Sequence, residues 1–213
     1  MRRVKVKICG ITNWTDARRA VEAGAHFLGF NFYRQSPRYI QPAAARRIVR
    51  RLPERVSAVG VFVNETEESI LAIAGKVGLD YLQLHGEESP ELVARLKHKF
   101  PVIKAIRVRE SFRLSHLDAF HRASAFLLDG FDSRRHGGTG KTFNWNLARR
   151  SNGARRIFLA GGLTPENVAE AIHTAHPYAV DVCSGVEARP GRKDPMRILA
   201  LMWAVKAAQG EAK

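Results

Sequence analysis

The sequence predicts one (β/α)8 barrel of the phosphate-binding type over all 213 residues. Short β-rich runs alternate with helical stretches from end to end, as parallel βα units require, and eight such units can be counted. No GxGxxG turn follows the first strand, where an open dinucleotide-binding sheet would ordinarily carry one. Small-residue turns close the seventh and eighth strands, the place where barrels of this type hold phosphate.

Taken in order, strands are expected at 4–9, 27–32, 58–63, 81–84, 102–108, 125–129, 157–160 and 179–183. Most are rich in Val, Ile, Leu or Phe, as strands covered on both faces must be. Helices are expected between and after them at 15–23, 42–52, 67–77, 90–100, 113–121, 145–149, 165–173 and 195–208. Ser89-Pro90-Glu91 and Thr164-Pro165-Glu166 each set an N-cap hydroxyl before a proline at the first helical position, with an acid in the first turn.

Composition narrows the class of function. Thirty-five Lys and Arg against twenty Asp and Glu give a formal charge of +15 and a pI near 10.6, a balance that attracts polyanions. The basic residues are scattered through helix-like segments, as at Arg46, Arg47, Arg50 and Arg51, without interleaved aromatics or a nucleic-acid motif. The expected partner is a small phosphorylated molecule drawn in by this surface, not nucleic acid. Apolar runs fall short of the ~18–20 residues a bilayer span needs, so no membrane association is expected. Charges interrupt the opening Val-Lys-Val-Lys-Ile, so no signal peptide is expected there and a cytoplasmic location is. Cys9 and Cys183 read as free thiols, since a chain of this size needs no disulfide, and no metal spacing or cofactor motif is present. Both a monomer and a homodimer fit.

The strand ends carry the chemistry, because barrels of this kind build their sites there. Period-two alternation puts Lys5, Lys7 and Cys9 on one face of the first strand and Val4, Val6 and Ile8 on the other. The apolar face must meet the helices, so Cys9 and Lys7 point inward. A cysteine is commonly a small buried hydrophobe, but cationic neighbours at a strand end favour the thiolate. A buried Lys7 needs an acid partner, and Asp129 and Asp181 both face the same interior. Asp129 ends an apolar strand, where burial would raise its pKa and make it a proton donor; an Asp there also serves as a plain turn cap. Gly161-Gly162 and Ser184-Gly185 let backbone amides approach an anion at helix starts. The GTGKT at 138–142 imitates a Walker loop, but that motif needs glycine at 135, where Arg135 stands.

These residues sit in longer motifs: KICGIT from Lys7, SPRYI from Ser36, VGVFVN from Val59, LQLHG from Leu82, LLDG from Leu127, GGTGKTFNW from Gly137, LAGGLTPENV from Leu159 and DVCSGVE from Asp181. In that order and over nearly the whole chain they resemble the phosphoribosylanthranilate isomerases. The resemblance implies a cofactor-free Amadori rearrangement of N-(5-phosphoribosyl)anthranilate to 1-(2-carboxyphenylamino)-1-deoxyribulose 5-phosphate in tryptophan biosynthesis. It implies Cys9 as the general base at C2, Asp129 as the general acid at the ring oxygen, and Arg38 as the partner of the anthranilate carboxylate, a role suited to a planar fork of donors. It further implies Gly161, Gly162, Ser184 and Gly185 around the phosphate, Asp181 near the sugar, and Gln83 and His85 in the site wall. Two positions depart from the pattern: Asn144 stands where Asp is expected, and Cys183 where Ser is commoner.

Two other functions suit a barrel of this kind. A histidine-pathway isomerase, or a dual-substrate version, resembles this barrel with an Asp at the end of the first strand, and Cys9 argues against it. A non-catalytic phosphate- or nucleic-acid-binding barrel would need neither Cys9 nor Asp129.

Overall fold

The structure is a computed structural model that describes residues 3–108, 112–130, 145–151 and 155–210. The Walker-like stretch and Asn144 lie outside those residues. Eight parallel strands close into a barrel in sequence order: β1 Lys5–Ile8, β2 Phe27–Asn31, β3 Ser57–Phe62, β4 Tyr81–Leu84, β5 Val102–Arg107, β6 Ala125–Asp129, β7 Ile157–Ala160 and β8 Ala179–Val182. Strand β8 returns to β1 with Lys7 opposite Asp181 and Ile8 opposite Val182. The helices are α1 Trp14–Ala23, α2 Pro42–Val49, α3 Glu67–Val77, α4 Pro90–Lys97, α5 Asn146–Ser151, α6 Val168–Ala175 and α7 Pro195–Ala208. Among the described residues no helix is long and apolar enough to cross a membrane.

Alternation along the strands sorts side chains into two cores. Val6, Ile8, Leu28, Phe126, Leu128 and Leu159 face outward and are sealed under the helices. Phe27, Val59, Ile103, Leu127 and Phe158 face inward and fill the barrel floor, where Phe27 meets Phe158 and Tyr81 edge-on at ring separations of 5.3 and 5.7 Å. Lys5 caps this floor with its ammonium 5.6 Å from the centre of Phe27 and 5.3 Å from that of Tyr178. The same parity that puts these rings at the bottom puts Cys9, His85, Asp129 and Cys183 at the top.

Helix starts follow the sequence in part. The Ser89 hydroxyl caps α4 by accepting from Leu92 N at 3.3 Å, with Pro90 at the first helical position as expected. Thr164 does not cap α6. Its N–H is taken by the Asn167 side chain at 2.8 Å, residues 165–167 form a turn, and α6 begins at Val168 with Asn167 before it. The Asn167 amide also donates to Gly162 O at 3.0 Å, so one side chain serves both Thr164 N and Gly162 O, while the Thr164 side chain is hydrogen-bonded to Glu166. The fifth expected helix is a 3-10 segment, Leu114–Phe120. An antiparallel hairpin absent from the sequence reading, β9 Glu187–Arg189 and β10 Arg192–Lys193, precedes α7.

Candidate active site

Residues one step past β1 and β8 set the centre of the site. Cys9 N donates to Val182 O at 2.9 Å, which continues the parallel ladder and brings Cys9 beside Cys183. Gly29 on the other neighbour, β2, leaves the room: a methyl group there would come within 2.6 Å of Cys9 Sγ. Both cysteines are free, and both residues are partly exposed at the barrel mouth.

One layer below, Lys7 is fully buried and its ammonium lies 2.9 Å from each oxygen of Asp181. The first-strand register expected from the sequence is the observed one, and of the two candidate acids Asp181 is the partner. Lys7 also faces Cys9, so one cation serves two anions. Burial works to strip its proton, but Asp181 and Cys9 together hold it above the usual lysine range. Burial pushes the Asp181 carboxyl up to about 6, and the opposing pull of Lys7 is partly cancelled by the negative sulfur above. The Cys9 thiol is drawn well below the ordinary range, first by a hydrogen bond from the Cys183 thiol and then, against the cost of burial, by Lys7 and Lys193. Its neighbour Cys183 is held correspondingly high by the same bond and by burial. Of the two thiols, Cys9 is therefore the one that ionises more readily.

Asp129 ends β6, three strands round the mouth from β1. Its side chain is partly buried, 20% exposed. Asp129 is the last residue of its strand and opens onto solvent at the mouth, whereas the Asp181 side chain lies one layer deeper and is 7% exposed. His85 Nε2 lies 3.2 Å from Asp129 Oδ2, and Gln83 Nε2 lies 2.9 Å from His85 Nδ1. An amide nitrogen can only donate, so this arrangement leaves the His85 proton on Nε2, directed at Asp129. Gln83, His85 and Asp129 thus form a chain across β4 and β6, while the buried Gln83 Oε1 has no partner among the described residues.

The turns after β7 and β8 pack on one another. Gly161 and Gly162 have φ of 86° and 68°, the left-handed region that favours glycine. A Cβ on Gly161 would strike Gly130 N and come within 2.9 Å of Asp129 Oδ1, and one on Gly185 would strike Leu163 O. Ser184 is exposed at the start of a short 3-10 turn, Ser184–Val186. The structure therefore gathers Gly161, Gly162, Ser184 and Gly185 on one side of the mouth, next to Asp129.

Arg38 reaches the mouth from the loop after β2. Asn31 shapes that loop by donating to Ser36 Oγ at 3.1 Å and accepting from Tyr33 N at 2.9 Å; Ser36 Oγ in turn accepts from Arg38 N at 3.1 Å. The guanidinium is not an open clamp, as its Nε and Nη2 edge grips Glu187 at 2.9 and 2.7 Å. A guanidinium has a second donor edge, Nη1 with Nη2, and the Arg38 side chain is 23% exposed. Glu187 also takes Lys193 Nζ at 2.9 Å, and these two cations hold its carboxyl below the usual range although burial works the other way. Lys193 continues to Cys183, donating to its carbonyl at 3.0 Å and lying 3.9 Å from its sulfur.

Glu187 and Lys193 are the site residues that the sequence reading missed. Both lie on the β9–β10 hairpin, which Thr12 ties to β1 by donating to Gly191 O at 2.6 Å and Asp16 ties to α1 by accepting from Lys193 N at 3.0 Å. The Pro190-Gly191 pair between short charged runs was the available signal, since that dipeptide marks a turn.

Fold and site together define the class: a (β/α)8 barrel equipped for proton transfer at the carboxyl ends of its strands, beside glycine turns that suit an anion. A family model described as N-(5'phosphoribosyl)anthranilate (PRA) isomerase matches residues 6–203, and the chain belongs to that family. Among its relatives, an N-(5'-phosphoribosyl)anthranilate isomerase of Moorella thermoacetica is 52% identical over 207 residues, covering 97% of this chain and 91% of the other. That of Pelobacter propionicus is 49% identical over 98% of this chain and 99% of its own. The crystal structure of phosphoribosyl anthranilate isomerase from Thermotoga maritima superposes with a TM-score of 0.88 at 47% identity, covering 97% and 99% of the two chains. A phosphoribosyl anthranilate isomerase in complex with reduced 1-(o-carboxyphenylamino)-1-deoxyribulose 5-phosphate gives 0.84 at 45% identity, with 97% and 99% covered.

Proposed function

We propose that this chain isomerises N-(5-phosphoribosyl)anthranilate to 1-(2-carboxyphenylamino)-1-deoxyribulose 5-phosphate, the Amadori step of tryptophan biosynthesis, with Cys9 as base and Asp129 as acid. The observation that carries the reading is the Cys9 sulfur, set at the strand end beside a thiol donor and above a buried ammonium, surroundings that favour its anion. Asp129 delivers a proton to the ring oxygen as the C1–O bond opens and the anilino nitrogen forms the iminium. The Cys9 thiolate then takes the C2 proton, and the resulting enolamine tautomerises to the ketone. His85 directs its Nε2 proton at one oxygen of Asp129 and thereby fixes the carboxyl while the other oxygen faces the glycine turns. Gly161, Gly162, Ser184 and Gly185 hold the phosphate, with Asp181 and Gln83 completing the wall beneath. The reaction belongs in the cytoplasm, where a thiol base stays reduced.

The direct test is loss of substrate fluorescence on adding purified protein to freshly prepared phosphoribosylanthranilate; no catalysed loss would overturn the reading. Arg38 tests the anthranilate contact. Its second edge suits a planar carboxylate, and Lys cannot reproduce a two-point contact. Arg38→Lys is expected to raise KM about tenfold or more, the worth of one charged hydrogen bond of about 1.5 kcal/mol, with a smaller change in kcat. An unchanged KM would remove Arg38 from the anthranilate end.

A further inference from the structure

The pairing of Cys9 with Cys183 has chemistry beyond isomerisation. The two residues follow Ile8 and Val182, which are opposite each other on neighbouring parallel strands, and the ladder bond from Cys9 N to Val182 O keeps them abreast. Neighbouring strands run about 4.7–4.9 Å apart, inside the ~4.4–6.8 Å Cα separation over which a disulfide closes. A methyl group on Gly10, the residue after Cys9, would come within 3.1 Å of Cys183 Sγ, and the two side chains are hydrogen-bonded to each other. Both residues are partly exposed at the mouth. We propose that Cys9 and Cys183 form a peroxide-sensitive dithiol, in which Cys9 is the attacked thiolate and Cys183 the resolving thiol.

The steps balance. The Cys9 thiolate attacks one oxygen of a hydroperoxide such as hydrogen peroxide, the O–O bond breaks, Cys9 becomes the sulfenic acid and hydroxide leaves. The Cys183 thiol attacks the Cys9 sulfur, the S–OH bond breaks, and the thiol proton departs with the hydroxyl as water, leaving the disulfide. Two electrons pass from the sulfur pair to the peroxide, and an external dithiol reverses the change. Low thiolate pKa, partial exposure and an adjacent resolving cysteine are the features that select a thiol for this chemistry. Lys193 beside Cys183 favours its thiolate during the second attack. The effect on turnover rests on Cys9 being the base of the proposed reaction; the disulfide itself does not.

The experiment treats the purified full chain with a modest excess of hydrogen peroxide and follows intact mass, peptide mapping and turnover. The expected result is a mass loss of two hydrogens, a Cys9–Cys183 cross-linked peptide, and turnover that falls in proportion to the cross-linked fraction and returns on adding dithiothreitol. In Cys183→Ser, a near-isosteric change, the cross-link is absent, Cys9 gains two oxygens as sulfinic acid, and dithiothreitol no longer restores that variant's starting rate. Parent protein whose Cys9 gains oxygen without cross-linking, or resists peroxide altogether, would overturn the proposal. A cross-link that forms while turnover persists would uphold the dithiol and overturn Cys9 as the base.

Discussion

Cys9→Ala is expected to lower kcat by about 10²–10⁴-fold, the range that a positioned general base contributes, while a phosphorylated product analogue binds nearly as before. Alanine removes the sulfur and leaves the glycine turns, Arg38 and the Lys7–Asp181 pair in place. Asp129→Asn should give a loss of the same order for a different reason, since the amide keeps an oxygen for His85 but has no acidic proton to give to the ring oxygen. Single-turnover rates together with analogue affinity check both. A loss of only a few-fold in either variant would remove that residue from the proton transfers.

Lys7→Met is expected to cost about 3–5 kcal/mol of stability at neutral pH, because it leaves the buried Asp181 charge without its partner. The cost has a pH signature. Burial raises the Asp181 carboxyl to about 6 from an unfolded value near 3.9, so the folded state binds its proton more tightly, and the contribution of Asp181 to stability falls as pH rises between those values. Without Lys7 the folded pKa climbs further and the penalty keeps growing to higher pH. Denaturant melts should therefore show the Lys7→Met deficit shrinking as pH falls through about 6, below which Asp181 is protonated in the folded state of both proteins. Adding Asp181→Asn should recover much of the loss at neutral pH, since it removes the orphaned charge. A deficit independent of pH and below about 1 kcal/mol would show that the pair is not the support described.

How much of this was legible in the sequence follows from which constraints are local. Strand parity is local: once Val6 and Ile8 had to face helices, Lys7 and Cys9 had to face the barrel, and the same rule put Asp129 and Asp181 inside. The strands at 81–84, 125–129 and 157–160 end where the apolar runs end. Depth within the mouth is not local. Asp129 and Asp181 both read as acids at apolar strand ends, yet the barrel leaves the first partly open and buries the second, because only Asp181 lies opposite Lys7, in the layer below Cys9. The hairpin carrying Glu187 and Lys193 was missed because it is short, charged and exposed along much of its length, and its place is set by bonds to Thr12 and Asp16 some 177–179 positions away. The contact that holds one edge of Arg38 was illegible for the same reason, since its holder Glu187 is 149 positions distant.

The central claim is that Cys9 rests as a thiolate because Cys183 donates to it and Lys7 lies beneath it. The rate of Cys9 alkylation by iodoacetamide as a function of pH, localised by peptide mapping, measures that directly, since the thiolate alone reacts. The account predicts a midpoint well below the ~8.5 of an ordinary thiol, moved upward in Lys7→Met. A midpoint at or above the ordinary value in the parent chain would contradict it.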